Sequence, residues 1–127
     1  MELHIVELSN GKLVANFSSP HSFVFTDGVV LPAKSEEDSE RLKVTFKEKL
    51  YANGDVELSF DLSEDVMNEI ALYEFLYEQN EVHVVFCPLP MITSLKEKKY
   101  DLINSPFRAV RIEDRINKLV SIEKQCL

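Results

Sequence analysis

Three of the four arginines in this 127-residue chain fall within eight positions, in the stretch NSPFRAVRIEDR at 104–115. Arg108, Arg111 and Arg115 each carry a planar fork of donors that grips a phosphate through two parallel hydrogen bonds and stacks on a base. The ten lysines, which supply only point charges, lie elsewhere. If 107–115 is extended, Arg111, Glu113 and Arg115 share one face, and Arg108, Val110 and Ile112 share the other. Arg111 and Arg115 then stand about 13 Å apart along the strand. That is too far for one phosphate, and it suits two phosphates, a phosphate and a base, or a site shared across a subunit boundary. Taken on the residues alone, the simpler reading is that these arginines pair with Glu113, Asp114 or acids on neighbouring strands.

Other chemistry finds less support. All three glycines lie in turn dipeptides, which leaves none for a dinucleotide fingerprint or a phosphate loop. His83 and Cys87 are four apart in VHVVFC, about 13 Å along a strand and beyond hydrogen-bond reach. His4, His21 and His83 share no ligand spacing, and His83 reads as a satisfied core residue. SEEDSE at 35–40 lacks the glycine and ligand spacing of a calcium loop and reads as a solvated loop. Adjacent acids such as Glu113 and Asp114 are expected in a chain this acidic and give no hook for acid–base catalysis. No metal and no cofactor is expected.

The balance of 22 acidic against 14 basic residues gives a net charge of −8. Such a surface repels phosphate backbones, so long DNA or RNA is not an expected partner. No run reaches the roughly 18–20 apolar residues of a membrane span, and the start MELHIVELSNG has no basic region of a signal peptide. Cys87 and Cys126 have no paired spacing. These features predict a cytoplasmic protein with no membrane partner.

The elements that must position the arginines read as one domain over 1–127. Asn10-Gly11, Asp27-Gly28 and Asn53-Gly54 predict three hairpins with type I′ turns. They join LHIVEL to KLVANF, SFVFT to VVLPA, and RLKVTFKEKLY to DVELSFDL. In the third pair, Leu42, Val44, Phe46 and Leu50 alternate with Lys43, Thr45, Lys47 and Lys49, and Val56, Leu58 and Phe60 alternate with Glu57, Ser59 and Asp61. One face is expected in the core, with lysines opposing acids across the strands on the other. Ser63 caps a helix over about 64–78, with Val66, Ile70, Tyr73 and Tyr77 at helical spacing and Phe75 expected in the core or a subunit contact. VHVVFC is a buried strand, Pro90 opens a short helix over about 90–99, and FRAVRIEDR and KLVSIEKQC are strand-like around a turn at INK. The fold class is α+β with a mostly antiparallel sheet.

The segment VHVVFCPLPMITSLKEKKYDLINSPFRAVRIEDRINKLVSIEKQC at 82–126 resembles the phage Thoeris anti-defence proteins that act as sponges for a cyclic ADP-ribose signal. The resemblance runs over the whole chain in size, acidity, N-terminal hairpins, mid-chain helix and late arginine-rich segment. It implies binding without catalysis. A bacterial TIR enzyme makes glycocyclic ADP-ribose, the phage protein holds it intact, and the NADase effector stays off. The resemblance also implies that Arg111 and Arg115 match an Arg-x-x-x-Arg pair for the phosphates and base, and that Phe86 is the aromatic residue near VVFC. It further implies a homo-oligomer, a dimer or a hexamer, in the cytoplasm of the infected host, and it allows a second pocket for cyclic oligonucleotide signals. Asn104, Met91, Thr93 and Arg108 join the candidate ligand contacts because the strand-to-helix loop and the NSPFR turn can face one cleft. Phe86 suits a core role as well, since it alternates with Val82 and Val84. Two other functions compete: an acidic inhibitor of a host defence protein acting through SEEDSE, and an enzyme degrading the signal with Cys87 or the acids at 113 and 114.

Overall fold

Each Asn-Gly or Asp-Gly dipeptide closes a hairpin, and all three do so in one way. At the first, the Gly11 N–H donates to the Leu8 carbonyl at 3.0 Å and the Leu8 N–H to the Lys12 carbonyl at 2.8 Å. This is a type I turn followed by a residue of positive φ, here Gly11 at 85°. The same two bonds recur around Gly28 and Gly54. The expected type I′ turns are therefore corrected: Asn10, Asp27 and Asn53 do not have positive φ. Each instead uses its side-chain oxygen to accept the N–H two residues on, at 3.0, 3.0 and 3.1 Å.

The computed structural model describes residues 4–127, and at 46–47 and 58–61 the backbone alone. The elements in order are β1 Ile5–Glu7, β2 Leu13–Asn16, β3 Phe23–Phe25, β4 Val30–Leu31, α1 Glu36–Arg41, β5 Thr45–Leu50, β6 Val56–Asp61, α2 Glu64–Glu78, β7 Val84–Phe86, α3 Leu89–Glu97, β8 Phe107–Arg108, β9 Ile112–Asp114 and β10 Leu119–Val120. The fold is α+β, with mostly antiparallel strands, the longer helix over 64–78 and the short helix beginning one residue before Pro90. Ser63 caps α2 as expected, accepting the Val66 N–H at 3.2 Å.

Two sheets carry the structure, in strand orders β1-β2-β7-β8 and β4-β3-β10-β9, and β5-β6 forms a separate ribbon. Within the first sheet, β2, β7 and β8 are mutually parallel, with Val14 opposite Val84 and Val85 opposite Phe107. Alternation sends Ala15, Val85 and Phe107 into one apolar cluster with α2 and α3, and Val14, Val84 and Phe86 into a second with Phe25, Leu31 and Val120 of the other sheet. This sheet is thus the middle layer, which is why all of β7 is buried and why its sequence is continuously apolar.

Several local expectations give way to this layering. Leu50 is 74% exposed and Val56 is exposed too, so that end of the β5-β6 ribbon has no core face; Phe46, Lys47, Leu58, Ser59, Phe60 and Asp61 fall among the side chains not described. Lys49 opposes Glu57 in register, yet Glu57 accepts the Tyr51 hydroxyl while the Lys49 ammonium lies over the Tyr51 ring. SEEDSE is solvated but helical: Ser35 caps α1 and three acids occupy its first turn, favourable at the positive end of a helix. Phe75 is 57% exposed, which excludes the core role and leaves the subunit contact of the two roles expected for it. His83 is exposed as well, and its Nδ1 accepts the Leu13 N–H at 2.9 Å.

Candidate functional site

The carboxyl ends of parallel strands leave backbone and loops free to form a crevice, the usual place for a ligand in such sheets. Here β2 runs into Ser18 and Ser19, β7 into Cys87 and the start of α3, and β8 into Ala109 and Val110. All of these residues line one cleft of about 740 Å³. Asn16 sets its near wall. Buried at the end of β2, its amide donates to the Ser19 and Pro32 carbonyls at 2.9 and 3.1 Å and accepts the Ser19 N–H at 2.8 Å. That arrangement fixes the turn carrying Ser18 and Ser19 and ties it to the segment after β4.

The floor comes from neighbouring strands in register. The Cys87 N–H donates to the Arg108 carbonyl, and Ala109 exchanges hydrogen bonds with Cys126 at 2.7 and 3.0 Å. Cys87 is buried, and burial pushes its thiol well above the usual range, leaving it protonated and weakly nucleophilic at neutral pH. Cys126 is exposed. At the mouth, Lys43 and Glu40 form an exposed ion pair at 3.9 Å.

Of the seven residues singled out from sequence, only Phe86 lines this cleft. It is 2% exposed, with its ring 6.2 Å from Phe23 and 5.7 Å from Phe25, so it builds the wall from within the core. Met91 is fully buried in the helix-side cluster, and Thr93 is half-buried on α3. The Asn104 amide donates to Asp101 at 2.8 Å within its own turn. Arg108 is committed locally: its guanidinium donates to the Leu102, Phe107 and Ile103 carbonyls at 2.6, 2.7 and 3.2 Å, and burial pulls its pKa down.

Arg111 and Arg115 are exposed and bracket β9, an edge strand of the second sheet. They do not sit on one continuous strand, which corrects the extended reading of 107–115: the chain leaves the first sheet after Arg108, joins the second at Ile112 and turns at Arg115. Asp114 drives that turn. Its carboxylate accepts the Ile116 and Asn117 N–H groups at 3.0 and 3.1 Å and the Asn117 amide at 2.9 Å. Asp114 is thus engaged, and among the described residues neither Arg111 nor Arg115 makes an ion pair or a side-chain hydrogen bond. Arg111 directly follows Val110 on the cleft wall.

Sequence reasoning missed Asn16, Ser18 and the role of Val110, since their function depends on which strands run side by side. The one local signal was CPLP after a buried strand, which marks a strand turning into a helix start. Comparison with protein families, with curated proteins and with solved structures found no match.

Proposed function

We propose that this protein sequesters a small cyclic nucleotide, glycocyclic ADP-ribose, and holds it intact so that the signal does not reach the Thoeris effector. The observation that carries this reading is the pair Arg111 and Arg115. These two exposed guanidinia have no protein partner among the described residues, in a chain of net charge −8. Unpaired arginine forks on an acidic surface are available to a ligand anion, and the acidic remainder rejects bulk nucleic acid. The two arginines flank the three-residue edge strand β9, which puts both forks on the same margin of the second sheet. A site on an exposed edge strand is open on one side, so a second copy of the chain closes it, in keeping with a homo-oligomer. The reading calls on no catalytic group, and the protonated Cys87 thiol is suited to a wall rather than to attack on the ligand.

Calorimetric titration with glycocyclic ADP-ribose, followed by heat denaturation and chromatography of the supernatant, tests this. The expected result is saturable binding with the nucleotide recovered unchanged, and a loss of affinity of at least a hundredfold when Arg111→Ala and Arg115→Ala are combined. Absence of binding, a cleaved product, or unaltered affinity in the double variant overturns it.

A further inference from the structure

The cleft has a composition that the arginine pair does not share. Apart from Ser18, Ser19, Ser39, Glu40 and Lys43, its lining is apolar and includes Phe23, Phe86, Pro88 and Val110. Its volume of about 740 Å³ is that of a pocket for a small organic molecule. Among the hydrogen-bond donors of the lining without a protein acceptor among the described residues are the Ser18 hydroxyl and the Leu89 N–H. Ser18 is 4% exposed, and its hydroxyl has no partner among the described residues. The Leu89 N–H stands at the first position of the nine-residue helix α3, where Pro88 provides no side-chain cap and no acid occupies the first turn. Pro90 has no N–H to offer, and the N–H groups of Met91 and Ile92 both turn back to the Pro88 carbonyl. The positive end of α3 therefore meets the cleft through one N–H, and the Ser18 hydroxyl belongs to the same lining.

We infer that the cleft is a binding site for a small, mainly apolar molecule ending in a single oxyanion, such as a medium-chain or aromatic carboxylate. The apolar walls receive the body, and the Ser18 hydroxyl and Leu89 N–H donate to the headgroup. One charge is the limit, because Lys43 at the mouth is already paired with Glu40 and the lining holds no other cation. A pyrophosphate would leave its second charge without a partner in an apolar cavity. The assignment stands on the cleft alone and does not rest on the nucleotide reading.

The test uses the full-length protein, with anilinonaphthalene sulfonate as fluorescent probe and decanoate and decanol as competitors. Alkylation of Cys126 by iodoacetamide, followed by mass spectrometry, reports occupancy of the cleft, since Cys87 is buried. The expected result is one saturable site per chain, displacement by decanoate, and alkylation of Cys126 slowed severalfold while decanoate is bound. Ser18→Ala weakens decanoate on the order of tenfold and leaves decanol unchanged. Ala109→Leu, which fills the floor, removes both. Non-saturable fluorescence, an unchanged alkylation rate, or equal losses for decanoate and decanol in Ser18→Ala overturns the inference. So does displacement by glycocyclic ADP-ribose where decanoate fails, which would move the nucleotide into the cleft.

Discussion

The Arg41 guanidinium at the end of α1 reaches across to the Glu69 carboxylate of α2 at 3.4 Å, and Glu69 is 3% exposed. Lys34, also buried, stands near the same carboxylate, and the second Glu69 oxygen has no hydrogen-bond partner among the described residues. Burial pushes the Glu69 carboxyl up and the Lys34 ammonium down, while the Coulombic attraction of each for the other opposes both shifts. These charges clamp α1 and the segment after β4 onto the helix layer.

Removing Glu69 takes from the buried Lys34 the carboxylate that most favours its charge, while Arg41 keeps its pair with Asp38 at 3.2 Å. Glu69→Ala is expected to lower stability by about 3–5 kcal/mol in urea denaturation, and Lys34→Met in that background to recover much of the loss. A Glu69→Ala protein as stable as the wild type would show that the cluster contributes no net clamp.

Arg108 holds the loop from Leu102 to Phe107 by donating to three carbonyls. A lysine cannot reproduce that fork, so Arg108→Lys is expected to lower stability by about 1–3 kcal/mol and to speed amide exchange at Ser105, while nucleotide affinity stays unchanged. Unchanged stability with weakened nucleotide binding would return Arg108 to the list of ligand contacts.

Asp27 links two hairpins, accepting the Ser9 N–H at 2.7 Å and the Val29 N–H at 3.0 Å. Partial burial raises its pKa, but these hydrogen bonds outweigh that effect and hold it below the ordinary 3.8. A depressed carboxylate binds its proton less readily in the folded than in the unfolded chain. Its contribution is thus complete above 3.8 and is lost as pH falls through the lower folded value. The stability advantage of the wild type over Asp27→Asn should therefore shrink as pH falls below 3.8, read from urea midpoints. An advantage that is the same at neutral and acidic pH would mean that ionisation of Asp27 does not stabilise the fold.

The residues differ in how much of this was legible in their own neighbourhood. Gly11, Gly28 and Gly54 marked three hairpins because a positive φ is a property of one residue, although the turn type depended on side-chain bonds two positions away. Ser63 marked the start of α2 because a cap bonds only three residues on. Ser35 carried the same signal, hidden by a run of acids that reads equally as solvated loop. Leu50 and Val56 alternated as a core strand would, yet both are exposed. Met91 and Phe86 were apolar residues beside a promising loop, and their burial was decided by helices and strands distant in sequence.

By itself the sequence determined the local elements: turns, caps, the helix over 64–78, the acidic surface and the gathering of Arg108, Arg111 and Arg115 near one end. These follow from torsional preferences and hydrogen bonds between residues a few positions apart. Only the tertiary structure decided that Val14 lies beside Val84 and Val85 beside Phe107, and so that three parallel strand ends open a cleft. Parallel pairing joins segments far apart in the chain, and any apolar strand satisfies its local requirements. The partner is chosen when both faces of the sheet are buried together, and that same choice sends Arg108 into a backbone clip and leaves Arg111 and Arg115 at the surface.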